Sequence, residues 1–390
     1  MTHAKRAVWG IATGMLLAAG AACSSMQEEA AAASRDGGGR GSEEVPGADV
    51  DGNPSSGAPG APTATGVILV HSAAFPPFRV CFENHPDLRP LPDSKAMPEA
   101  NVVGVEVGSL VRLDPIDAPG KIYVIRESSV RATAGDPSGP SCGELLGTGG
   151  QSLLSSDYHV ATLPDGVAQL GRPGVQALAI TGCGGQAYVD YLGVDSASCG
   201  PDWDNMRGNL VANVIDLTAT SARADDATIP VQLVHLAPLL QAQLGTAKLE
   251  VTFGALATPG KLPTEVAAGT ALLESSAQVM LEVDQNDEAT YGTHGFRIVA
   301  REGDGSAKFT FSESLAAVQS LSAPRDVPTS YYRAASNYAL LLVGDPSVPT
   351  TLDGGAPNND RRRVQLLAVP VLDPEAADAG AGAGEGEDGG

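Results

Sequence analysis

Basic residues are scarce in this 390-residue chain: 24 Lys and Arg stand against 46 Asp and Glu, a formal net charge of −22. That deficit argues against nucleic-acid partners, whose phosphates are bound largely by Lys and Arg, and against docking on anionic lipid headgroups. Aromatic residues make up only 4%. Of the two tryptophans, Trp9 lies in the leader, which leaves Trp203 with Tyr188, Tyr191, Tyr331 and Tyr332 as rings on which a sugar could stack. Catalytic signatures are missing too. No H-E-x-x-H or C-x-x-C pair offers zinc a site, and there is no G-x-S-x-G elbow, P-loop or dinucleotide fingerprint. No catalytic residue is assigned and no cofactor is expected. No apolar run reaches the roughly 20 residues of a membrane-spanning helix.

What is present begins with an address. Lys5 and Arg6 precede an uncharged apolar run from Ala7 to Ala22, which reads as a signal-peptide core. The run ends at Gly20-Ala21-Ala22-Cys23-Ser24-Ser25. This segment resembles a bacterial lipoprotein signal, although Gly20 stands where that family usually has Leu. The resemblance implies that Cys23 is lipidated and becomes the new amino terminus. It also implies a membrane partner through the anchor and, with Ser24 rather than Asp next, sorting to the outer membrane or cell surface. The alternative is an ordinary cut after Ala21 and a periplasmic or secreted chain. Cysteine arithmetic bears on the choice: lipidating Cys23 removes the odd member of five and leaves Cys81, Cys142, Cys183 and Cys199, enough for two disulfides.

Residues 1–22 therefore read as signal peptide and 23–65 as a lipid-anchored disordered tether. Residues 374–390 read as a disordered acidic tail, since both flanks hold too little apolar surface to offset chain entropy. Between them the grammar is β. Short runs such as Val67-Ile68-Leu69-Val70, Phe78-Arg79-Val80-Cys81-Phe82, Lys121-Ile122-Tyr123-Val124-Ile125 and Phe296-Arg297-Ile298-Val299 are each closed by turn residues. The expected fold class is mainly all-β: two tandem immunoglobulin-like or related β-sandwich domains. Short helices are expected near 313–321 and 264–275, neither long enough to build a helical core.

Internal repetition sharpens the division. Val67-Ile68-Leu69-Val70-His71 returns as Val231-Gln232-Leu233-Val234-His235, and Val175-Gln176-Ala177-Leu178-Ala179-Ile180-Thr181-Gly182 is echoed by Tyr338-Ala339-Leu340-Leu341-Leu342-Val343-Gly344. A third mark follows each: Asp204-Asn205-Met206-Arg207 before one apolar strand, and Asn359-Asp360-Arg361-Arg362 before another. Three marks in one order imply duplication, with copy 1 at 66–222 and copy 2 at 228–373. His71 and His235 should stand near the start of equivalent strands.

The V-x-L-V-H-x-A-P opening of copy 2, with its closing apolar strands, resembles an uncharacterised β-sandwich domain found in tandem in bacterial cell-surface proteins. Copy 1 departs from it with Ala74 where copy 2 has Pro238. Together with 18 Arg against 6 Lys, the chain looks like a myxobacterial surface lipoprotein. The resemblance implies location and fold, not chemistry.

Candidate sites are few. On an alternating strand His71 shares a face with Val67 and Leu69, and His235 with Val231 and Leu233, which suits structural anchoring better than metal binding or catalysis. Asp284, Asp287 and Glu288, and separately Asp202 and Asp204, gather hard oxygens, but neither group supplies the six to eight that calcium takes. No metal is therefore assigned. Cys183, directly after a strand end, is expected to pair locally with Cys199, leaving Cys81 with Cys142. The functional expectation is a non-enzymatic envelope or surface module with a structural, binding or adhesion role toward an unknown envelope or surface ligand. An exported hydrolase with an unidentified active site is the alternative.

Overall fold

The computed structural model describes residues 64–92, 104–133, 140–147, 153–172, 174–217, 227–322, 332, 337–352 and 358–372. All belong to one compact unit spanning 51–390. The 1–22 leader, Cys23, nearly all of the 23–65 tether, Tyr331 and the 374–390 tail lie outside the described residues.

The first repeat runs β1 (Gly66–Ala74), β2 (Phe78–Phe82), β3 (Leu110–Leu113), β4 (Ile116–Asp117), β5 (Ile122–Arg126), β6 (Tyr158–Ala161), β7 (Gln169–Leu170), β8 (Val175–Cys183) and β9 (Val211–Leu217). The second runs β10 (Thr228–His235), β11 (Lys248–Ala255), β12 (Thr264–Ala268), β13 (Val279–Glu282), β14 (His294–Arg301), β15 (Ala307–Ser314), β16 (Asn337–Val343) and β17 (Gln365–Val371). Short helices punctuate them: α1 (Glu127–Thr133), α2 (Cys142–Leu146), α3 (Gln186–Leu192), α4 (Pro238–Leu244), α5 (Glu288–Thr293) and α6 (Leu315–Ser322). Local chemistry sets their ends. Ser141 and Glu144 form a capping box on α2, Gly193 closes α3 in the left-handed region, and Pro238 occupies the first turn of α4.

The fold is mainly β. Sheet order β3-β1-β8-β9 in the first repeat is matched by β13-β10-β16-β17 in the second. In each, the opening strand runs parallel to the penultimate one, and His71 faces Ile180 as His235 faces Leu342. The histidines thus hold one register position. They sit late in their strands rather than near the start, because β1 reaches back to Gly66 and β10 to Thr228. The glycines that close the repeat are dictated by backbone approach. Gly182 and Gly344 have φ of 90° and 111°, and a Cβ would lie 2.4 Å from the Asn209 carbonyl oxygen and 2.1 Å from that of Arg363.

A second sheet backs each first one: β2-β5-β6 in the first repeat and β12-β11-β14-β15 in the second. The expected helix near 313–321 is α6, but 264–275 is not a helix. Thr264–Ala268 is edge strand β12, paired antiparallel with β11 across a register shift at Val251/Thr252. Burial of Val266 and Ala267 against the core outweighs the helix preference of Ala267 and Ala268, and Gly269 at φ 74° ends the strand.

Burial shows how the layers stack. Val67, Leu69, Leu178 and Ile180 pack on Phe78, Val80, Ile122 and Val124 to form the core of the first repeat. Val231, Leu233, Leu340 and Leu366 pack on Val251, Phe253, Phe296 and Ile298 to form that of the second. The opposite faces of the two first sheets then meet each other. Ile68, Val70, Val175, Ala177 and Ala179 pack against Leu341, Val343, Leu367 and Val369 in one continuous apolar layer. The molecule is therefore four sheets deep with three apolar layers, the middle one joining the repeats.

Polar ties border the joint. The buried Gln365 amide donates to the Gly108 carbonyl at 2.7 Å, Arg361 Nη1 donates to Ser109 Oγ at 3.0 Å, and the Ser72 hydroxyl donates to the Leu236 carbonyl. Among the described residues no helix is long and apolar enough to cross a membrane.

Candidate functional site

Strand β1 carries His71 into the first core, where its ring lies 4.4 Å from that of Phe78. Nδ1 faces the Val105 carbonyl at 2.8 Å and so carries the proton, while Nε2 is buried without a hydrogen-bond partner. His235 adopts the opposite tautomer: Nδ1 accepts from the Ala237 N–H and Nε2 donates to Gln241 Oε1, both at 3.3 Å. Desolvation drives both pKa values down to about 4, so both rings are neutral. The backbones of both histidines also tie down a loop. Ser109 and Gly108 pair with His71, and Glu274 and Leu273 pair with His235. The remaining described histidines are scattered, with His85 Nε2 on the Asp117 carbonyl, His159 Nε2 on the Leu210 carbonyl and His294 Nδ1 on Thr293 Oγ1.

The carboxylates considered for calcium serve turns. Asp204 Oδ1 accepts from the Met206 and Arg207 N–H groups, Asp284 Oδ1 accepts from Asn286, and Asp287 caps α5 through Ala289 and Thr290. Asp202 and Glu288 are exposed, Glu288 lying in the first turn of α5. Among the described residues no group of three or more His, Cys, Asp or Glu is arranged to hold a metal.

Two ion pairs with buried carboxylates left no sequence signal, because their partners are far apart in the chain. Arg79 meets Glu127 at 2.6 Å, and Arg363 meets Glu313 at 2.9 Å. Ser129 Oγ donates to Asp157 Oδ1 at 2.9 Å beside Arg126, while His159 is engaged elsewhere, so this trio lacks the base a serine nucleophile needs.

Cysteines are joined Cys81–Cys142 and Cys183–Cys199, with Cα separations of 5.7 and 5.6 Å. The first pins α2 over the outer face of β2 and β5, where Val130, Leu145 and Ile125 close around it. The second staples an excursion, residues 184–208, to the end of β8. Trp203 donates its indole N–H to the Gly184 carbonyl at 2.8 Å, and Tyr188 packs edge-on against Phe75. Leu239 of α4 packs on this disulfide, and Arg362 Nη1 donates to the Leu192 carbonyl at 3.0 Å, so the second repeat buttresses the excursion. Its outer surface carries Tyr191 and Met206, 78% and 87% exposed, whereas Tyr332 is buried. Replacing both members of a pair by Ala is expected to lower unfolding free energy by about 3 kcal/mol for Cys183–Cys199 and about 4 for Cys81–Cys142. Urea titrations with and without reductant measure both.

No family model matches the chain, and no curated protein matches it. Two solved structures show distant similarity. One is an adhesin candidate from Bacteroides ovatus, 9% identical over 78% of this chain and 95% of its own, at TM-score 0.18. The other represents candidate polysaccharide-binding proteins from Bacteroides thetaiotaomicron, 11% identical over 76% and 99%, at TM-score 0.15. Similarity at that level assigns neither fold nor function.

Proposed function

We propose that this chain is a non-enzymatic surface module, anchored by lipid on Cys23, that presents the stapled 184–208 excursion to a ligand outside the cell. The observation that carries the reading is the excursion itself. A disulfide, an indole hydrogen bond and a neighbouring repeat fix a segment that turns two large side chains, Tyr191 and Met206, to solvent. Binding residues are disproportionately carried on loops positioned by a rigid scaffold. Two buried disulfides fit an exported chain. The lipoprotein-like Cys23 and the tandem surface-domain resemblance support the address.

Two measurements test it. Cys23→Ser is expected to move the protein from the membrane to the soluble fraction; unchanged fractionation would reject the anchor. Tyr191→Ser with Met206→Ser should leave thermal stability nearly unchanged, as surface substitutions usually do, while cutting binding of the mature protein to envelope material at least tenfold. Equal binding by this variant would reject the excursion as the contact surface.

A further inference from the structure

The two histidines that share a register position are wired in opposite senses. His71 donates from Nδ1 to the Val105 carbonyl and its Nε2 has no hydrogen-bond partner, so a second proton on that ring breaks no bond. His159 bonds to the Leu210 carbonyl, and its backbone neighbours Leu210 and Arg207 favour the charged ring. Of the three histidines whose pKa burial lowers, His235 alone uses a ring nitrogen as an acceptor, taking the Ala237 N–H on Nδ1. A proton placed there turns the acceptor into a donor, and two N–H groups then face each other.

What His235 holds is the first turn of α4. Ala237 is the N-cap of that helix and offers no side-chain cap, Pro238 has no N–H, and Gln241 accepts from His235 Nε2 one turn on. One imidazole therefore spans the start of the helix. Helix α4 in turn bridges the repeats. Leu240 and Leu244 belong to the second core, whereas Leu239 packs with Cys183, Cys199 and, in the 184–208 excursion, Val189. The helix also lies against the single turn Ser196–Cys199. The first repeat has no counterpart, since its chain passes from β1 to β2 through Phe75, Pro76 and Pro77.

We propose that His235 is an acid-operated latch on α4: a proton on Nδ1 frees the helix start, Leu239 withdraws from the Cys183–Cys199 staple, and the 184–208 excursion loosens while the sheets stay paired. The inference does not depend on the lipid anchor or on the excursion being the contact surface. The closed latch holds the ring at a pKa of about 4, and an open latch returns it to the ordinary 6.5. The open form therefore binds the proton more tightly. Opening is favoured as pH falls through that window, by up to about 300-fold once the closed ring is also protonated. The surrounding charges do not reach the ring. Helix α4 carries no titratable side chain, and β16 carries only the buried Tyr338. Glu274 in the loop that pairs with the His235 backbone, Glu265 on β12 and Glu282 on β13 are exposed. Asp345 beyond β16 accepts from the Ser347 N–H, Asp195 caps the turn Ser196–Cys199, and Lys308 meets α4 at its far end, on the Leu244 carbonyl. Burial lowers the His235 pKa, and the Gln241 bond opposes it.

The test uses the mature full-length chain carrying Cys23→Ser, with amide protection factors corrected for the intrinsic effect of pH. Val189 and Val194 report the excursion, since their N–H groups bond to Gly185 and Val189. Their protection should fall at least about tenfold between pH 7 and 4.5 with the far-ultraviolet circular dichroism unchanged. His235→Asn sets a side-chain oxygen where Nδ1 stood, which accepts from Ala237 and takes up no proton, so the fall should vanish. His71→Asn should leave it in place, because His71 governs global unfolding but not the latch. Should His235→Asn fail to fold, the parent decides the matter. The ring-nitrogen resonances of His235 and the emission of Trp203, half-buried beside the staple, should then change with one midpoint. The proposal is overturned by protection that holds at pH 4.5, by a fall that His235→Asn preserves or His71→Asn removes, or by Trp203 emission that changes only together with circular dichroism.

Discussion

Acidification from pH 7 to 4.5 is expected to remove about 5 kcal/mol of folding stability through two buried histidines alone. His71 and His235 have folded pKa values near 4 against an ordinary 6.5. As pH falls, the unfolded chain takes up both protons near 6.5, whereas the folded chain takes them up only near 4. Between those values the unfolded state holds more protons, so stability is full above 6.5 and declines as pH drops toward 4. His159, lowered by its own burial, acts in the same direction. Glu313 acts oppositely: burial raises its pKa despite the Arg363 partner, so its contribution is lost as pH rises above the ordinary carboxylate value. The imidazoles are isolated by difference. His71→Asn keeps a donor at the Nδ1 position for the Val105 carbonyl, and His235→Gln keeps one at the Nε2 position for Gln241. This double variant is expected to be less stable than the parent at pH 7 but to lose most of the decline between 7 and 4.5. A parent whose urea midpoint is the same at both pH values would contradict neutral burial of the pair, a serious loss against the 5–15 kcal/mol typical of a domain.

Those same histidines mark where the chain was readable and where it was not. Their shared strand position follows the repeated V-x-L-V-H run, and Gly182 and Gly344 recur because a Cβ there would collide with a neighbouring carbonyl oxygen. The strand runs around Val67–Val70 and Phe78–Phe82 follow from apolar and β-branched clustering between turns, which survives without tertiary knowledge. Thr264–Ala268 did not, since its pairing with β11 comes from a partner strand and not from local preference.

The middle apolar layer also went unread, although a signal for it existed. Val67-Ile68-Leu69-Val70, Leu340-Leu341-Leu342-Val343 and Gln365-Leu366-Leu367-Ala368-Val369 are nearly continuous apolar runs. Alternation is the mark of a strand with one wet face, and its absence means that both faces are covered. Reading only the His71 face of β1 found one core and missed the second. The local Cys183–Cys199 pairing was legible from a strand end and the turn residues Gly200 and Pro201, but the 184–208 excursion it staples was not read as a unit. That it stands Tyr191 outward and buries Tyr188 in part depends on packing that sequence spacing does not encode.

Loss of the middle layer is expected to unfold both repeats together, and one substitution in the second repeat should show it in the first. Leu341 on β16 is fully buried in the layer shared with Ile68, Val70 and Ala177. Leu341→Ala should cost about 2–5 kcal/mol through the cavity it leaves. Leu341→Asp should cost more, because it places a carboxylate among apolar side chains with no cation to pair it. Trp203 reports the outcome. It is the single tryptophan among the described residues, it belongs to the first repeat, and it packs beside the Cys183–Cys199 disulfide. If the repeats unfold as one, Leu341→Asp shifts the Trp203 fluorescence transition and the far-ultraviolet circular dichroism transition to the same lower urea concentration. If they are independent, Trp203 keeps its parental midpoint and circular dichroism splits into two steps, which would reject the coupled fold. Gly108→Val offers a second route without adding charge. Gly108 has φ 70°, and a Cβ there would lie 1.9 Å from the Arg361 carbonyl oxygen of the other repeat. The substitution must therefore push the repeats apart at the Gln365–Gly108 contact, and it too should lower both transitions together.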